Sequence, residues 1–111
     1  MAELVAGARE ARRGFEPGGA DGERAMAYLR EGAGQAVWVY VEAHTGGRNV
    51  WFPPEELAAL RWTMNTYLEL YAACHGRDID AAFTVREAAE LLLDTENIRD
   101  VAQLLTGVPE R

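Results

Sequence analysis

A chain of 111 residues fits one domain, and at that size roughly two thirds of the unfolded surface can be buried, so neither disulfides nor a metal are required for a core. With 49% hydrophobic and 26% charged residues, the composition excludes a disordered or fibrous chain. The net charge of −7, with all 11 basic residues arginine, argues against nucleic acid and anionic lipid as partners, since that affinity rests on cations neutralising phosphate.

Leu4, Ala8, Ala11 and Phe15 alternate spacings of four and three, which predicts a short helix stopped by Gly14 and Pro17-Gly18-Gly19. Residues 13–20 then read as a flexible Gly/Pro loop. Asp21 is placed to cap a second helix reaching Arg30, with Gly32 and Gly34 as its end. From Ala36 the period changes: Val37, Val39, Val41 and Ala43 alternate with Trp38, Tyr40, Glu42 and His44 in a stretch rich in β-branched and aromatic residues. That pattern predicts a strand, and Gly46-Gly47 supplies the two-residue turn of a hairpin. In this register Ala43 faces Val50 and Val41 faces Phe52, leaving Trp38, Tyr40 and Trp51 on the opposite side.

Pro53 and Pro54, followed by Glu55 and Glu56, open a long helix whose Leu57, Leu60, Met64, Tyr67, Tyr71 and Cys74 form an a/d seam; Gly76 is its stop. Thr84-Val85-Arg86-Glu87 has the form of a capping box. Thr95 is the expected cap of a last helix carrying Ile98, Val101, Ala102 and Leu105, ended by Gly107. The fold class expected is therefore α+β, mainly α, in a single domain over 1–111. About five helices accompany one β-hairpin (residues 36–43 and 48–52) packed on a long central helix (55–75).

A lone cysteine, Cys74, forms no internal disulfide, and Met1-Ala2-Glu3-Leu4 lacks the pattern of a secretory leader, so a cytoplasmic location is expected. The longest apolar run, Ala36 to Val41, is far short of the ~20 residues of a membrane helix. Cys74-His75 is the first place to look for a nucleophile, but neighbouring helical side chains diverge by about 100°, and Cys74 lies on the apolar seam. His44, His75 and Cys74 show no metal-ligand spacing, and neither Gly-Gly pair belongs to a phosphate loop. No catalytic, metal or cofactor residue is assigned, and an enzyme is not expected.

Two binding readings remain. A two-stranded ribbon cannot bury both its faces, so Trp38, Tyr40 and Trp51, together with Tyr67 and Tyr71 on the central seam, are candidates for contact with a second copy of the chain or another protein. The alternative is a helix-turn-helix DNA-linked regulator built on residues 85–105, opposed by Glu96 and Asp100 at the start of the helix that would face the bases.

The stretches Ala36-Val37-Trp38-Val39-Tyr40-Val41-Glu42-Ala43-His44-Thr45-Gly46-Gly47-Arg48 and Phe83 to Gly107 resemble segments of small uncharacterised proteins of halophilic archaea. The resemblance implies a cytoplasmic, salt-adapted protein and transfers no activity. High-GC coding would give the same Ala, Gly, Arg and Glu bias without salt.

Overall fold

The computed structural model describes residues 2–15, 22–45 and 52–108, without the side chains of 44 and 45. Its elements in chain order are α1 (Ala2–Arg13), α2 (Gly22–Tyr28), a π-helical turn (Leu29–Ala33), α3 (Gly34–Thr45), α4 (Pro54–Cys74), α5 (Val85–Thr95) and α6 (Ile98–Thr106). Because α2, the π turn and α3 follow without a break, the described residues form five continuous helical rods. Among the described residues there is no strand.

The expected β-hairpin is thereby overturned. Residues 36–43 lie inside α3, Phe52 is in neither helix nor strand, and residues 46–51 fall outside the described region, Trp51 among them. The correction has a physical reason. Ala33, Ala36, Val37 and Val41 are buried and Tyr40 is half-buried, which is an i, i+3, i+4, i+7, i+8 stripe of a helix. The same residues alternate well enough to imitate a strand, and packing overrides β-propensity. The stop expected at Gly32 and Gly34 is corrected too. The Gly34 N–H bonds the carbonyl of Leu29, five residues back, so the helix widens by one residue and continues.

The long helix predicted at 55–75 spans Pro54–Cys74, with Pro54 in its first turn. It packs against α1, α2, the π turn and α3. Leu60, Met64, Leu68 and Tyr71 on α4 join Leu29 of the π turn, Val37 and Val41 of α3, Val85 and Ala88 of α5, and Val101 of α6 in one core. From Thr63 to Ala72 this helix is buried on most sides; its first two turns are not.

At α5 the capping box is complete. Thr84 Oγ1 accepts from the Glu87 N–H at 3.1 Å, and Glu87 Oε1 accepts from the Thr84 N–H at 3.0 Å. These bonds hold the Glu87 carboxyl below its ordinary value, the backbone N–H of Thr84 being the main cause. Above the unfolded carboxyl's ordinary 4.5 the Glu87 carboxylate's share of the box is fully present, and that share is lost as pH falls through the lower folded-state value. Thr84→Ala removes the hydroxyl that accepts from the Glu87 N–H and should cost about 1 kcal/mol. That bond does not titrate, so the deficit in urea midpoint should persist in acid, whereas the deficit of Glu87→Ala should shrink there.

The cap of α6 is Asn97 rather than Thr95: Asn97 Oδ1 accepts from the Arg99 N–H at 2.9 Å. Thr95 remains the last residue of α5, its hydroxyl donating to the Leu91 carbonyl at 2.8 Å, and Glu96 turns the chain with φ of 57°. Gly107, at φ of 71°, ends α6 as expected from the sequence.

Candidate functional site

The exposed turns at the start of α4 carry large apolar side chains: Leu57 is 41% and Trp62 37% exposed. With Pro54, Ala58, Arg61 and Asn65 they line one wall of a groove of about 560 Å³ whose other wall is Ala81-Ala82. Arg9 of α1 lies over the Trp62 ring, its guanidinium carbon 5.8 Å from the centroid.

That second wall belongs to the segment of residues 77–84, neither helix nor strand, that connects α4 to α5. It is fastened by side chains of α4 at positions 61, 65 and 69, one helical turn apart. The Glu69 carboxylate accepts from the Ala81 N–H at 3.0 Å. Asn65 takes both polar groups of Phe83, its Oδ1 accepting from the N–H at 3.0 Å and its Nδ2 donating to the carbonyl at 2.9 Å. Arg61 donates to the carbonyls of Ala82 at 3.1 Å and of Phe83 at 3.3 Å. The carboxamide thus does for Phe83 what a neighbouring strand would do, which is why Asn65 is buried in a helix without penalty.

A second apolar depression, about 360 Å³, is lined by Trp38 of α3 and Leu92, Leu93 and Glu96 from α5 and its C-terminus. Trp38 and Leu93 are exposed there, and Leu104 is exposed on α6.

The residues singled out from the sequence do not gather into one patch. Trp38 faces solvent beside α5, whereas Tyr40 is half-buried and stacks on Phe52, centroids 6.2 Å apart. The Tyr67 ring lies against Gly32 of the π turn, close to Gly7 of α1 and tilted on Tyr28. Burial pushes its hydroxyl upward, with Tyr28 and Glu31 adding to the shift. Tyr71 is inside the fold, donating to the Val108 carbonyl at 2.7 Å and meeting His75 edge-on at 5.0 Å. Trp62, Leu93 and Leu104 lie outside the sequence candidates, whereas Leu57 opens the α4 seam expected as a contact surface.

Chemistry-bearing groups are dispersed. Among the described residues no three of His, Cys, Asp and Glu could jointly hold a metal ion. Cys74 is buried, and His75 caps α4 through its backbone N–H. The exposed polar face of α5 and α6 shows Glu87, Glu90, Asp94 and Glu96 against Arg86 and Arg99, and Arg86 lies 3.4 Å from Glu90. Among the described residues no helix is long and apolar enough to cross a membrane.

No curated protein and no solved structure matches the chain. The family model described as Domain of unknown function (DUF8055) matches residues 1–110, and the chain belongs to that family.

Proposed function

We propose that this chain is a non-enzymatic protein-interaction module that self-associates through the groove at the start of α4. The observation that carries the reading is the apolar wall formed by Leu57, Ala58 and Trp62, left wet at the start of a helix whose later part, Thr63 to Ala72, is buried on most sides. Water is released when such a wall is covered, at roughly 25 cal/mol per Å². Trp62 and the neighbouring Arg61 are of the residue types enriched at the centres of protein contacts, and Leu57 and Ala58 add apolar area beside them. The acidic face of α5 and α6 supports this reading over a DNA-linked one, because a phosphate backbone would meet more carboxylates than guanidinium groups there.

Sedimentation velocity across protein concentration tests it. A concentration-dependent dimer is expected, converted to monomer by Leu57→Glu or Trp62→Glu. A wild-type monomer at every concentration would remove the proposal. Salt adaptation belongs to the same proposal: at about 1 M salt the Debye length shrinks to ~3 Å, so copies bearing a net −7 repel one another less. The dimer should then tighten in molar KCl; equal association at low and high salt would return the acidity to coding bias.

A further inference from the structure

Residues 78–83 make no backbone–backbone hydrogen bond among the described residues. Their main chain is held by three side chains of one helix, Arg61, Asn65 and Glu69, through the five hydrogen bonds given above. Ala81 belongs to the core, Ile79 and Phe83 pack against it half-buried, and Asp78, Asp80 and Ala82 are exposed. The segment is bounded by two firm stops. Before it, Gly76 has φ of 75° and the Arg77 N–H bonds the Ala72 carbonyl at 2.9 Å; after it, the Thr84 box starts α5. A stretch with one buried side chain and no main-chain hydrogen bond to another main chain, fixed by side chains on a helix that is secured elsewhere, has the makings of a separate opening unit.

We propose that residues 78–83 form a strap that opens as one unit while the helices stay folded, and that its release extends the α4 groove from Asn65 toward Glu69. Ala81 and Ala82 are the groove's second wall, so the strap's position sets how much of α4 a partner can cover. Opening frees the Asn65 carboxamide, the Glu69 carboxylate and the Arg61 guanidinium, groups that already show the geometry for holding an extended main chain. The inference rests on the groove being the contact surface, and it supplies that surface with a gate.

Native-state amide hydrogen exchange on the full chain, in denaturant well below the unfolding transition, tests it. The Ala81 and Phe83 amides are expected to exchange at least about tenfold faster than those of Met64 and Leu68, with a weaker dependence on denaturant. The decisive reporter is Ala81 in Asn65→Ala, because its N–H bonds Glu69 and not Asn65. If the strap moves as one unit, losing Asn65 speeds Ala81 exchange by about tenfold. Arg61→Ala, which removes two carbonyl contacts and no amide acceptor, should act in the same direction and covers the case where Asn65→Ala does not fold. An unchanged Ala81 rate in the variants, or a wild-type denaturant slope equal to that of Met64, would overturn the strap. Coupled opening in a chain that stays monomeric supports the strap while overturning the dimer reading.

Discussion

Gly32→Ala is expected to lower the melting temperature by on the order of 10 °C, the opposite of what the same change does at an open helical position. In a solvated helix Ala is favoured over Gly by about 1 kcal/mol. Here a Cβ at residue 32 would fall on the Cγ, Cδ1 and Cε1 atoms of Tyr67. Contact at Cγ cannot be relieved by swinging the far end of the ring. Nor has the ring an easy retreat, since its hydroxyl end lies close to Gly7 of α1 and Tyr28 packs on it with centroids 6.1 Å apart. Overpacking of this kind costs about 1–3 kcal/mol, and at roughly 4–8 °C per kcal/mol for a domain of this size it exceeds the gain in propensity. The pair also makes a sign test. In a Tyr67→Ala background the obstruction is gone, so Gly32→Ala should become neutral or stabilising by up to about 1 kcal/mol. Additive effects across the two backgrounds would show that the close approach of the π turn to α4 does not govern residue 32.

That close approach also explains where sequence reasoning went astray. Gly32 and Gly34 read as a helix stop because glycine ends helices more often than it continues them. Their use here depends on Tyr67, 35 positions further on, and on the Leu29 carbonyl, and neither partner leaves a local trace. In α3 the difficulty was of another kind: Val37, Val39 and Val41 lie on a strand period while Ala36, Val37, Tyr40 and Val41 lie on a helical one. With Trp38 and Tyr40 between them no polar face was present to choose between periods, and the Gly-Gly pair that followed tipped the reading to a hairpin. Where a local bond decides the outcome, the residues were sufficient. Thr84 and Glu87 are three apart and bond each other, Gly107 needs only its own positive φ, and Pro53-Pro54 admits a helix start with no distant partner. The candidate surface was legible in part for the same reason. Trp62 and Leu57 stand on a helix that could be read, but whether anything covers them depends on the path of residues 77–84. Asn65, which sets that path, looks like an ordinary polar residue in the sequence.

Tyr71→Phe and Tyr71→Ala should separate two contributions made by one side chain. The ring is 2% exposed in the core, and its hydroxyl reaches past α6 to the carbonyl of Val108, itself 4% exposed. Phenylalanine keeps the ring and leaves that carbonyl without its donor, a cost of about 1–3 kcal/mol when the orphaned group stays dry. Alanine removes the ring as well and opens a cavity beside Leu68 and Cys74, for a total of about 3–5 kcal/mol. The two variants should differ in where the damage appears. In Tyr71→Phe, exchange should quicken at the Val108 amide, which bonds Thr106 Oγ1 at 3.2 Å, while the α4 amides keep their relative protection. In Tyr71→Ala the whole core should lose protection. An alkaline titration adds an independent check. Burial raises the Tyr71 hydroxyl above its ordinary 10.0, with Arg99 acting in the opposite direction. The unfolded chain ionises first, so stability is full below the unfolded value and is lost as pH rises through the higher folded one. Tyr71→Phe should reduce that alkaline loss and leave the share that Tyr67, also raised by burial, contributes. If the variant falls as steeply as the wild type, the buried hydroxyl of Tyr71 is not what the alkaline limb reports, and the dry contact with Val108 fails with it.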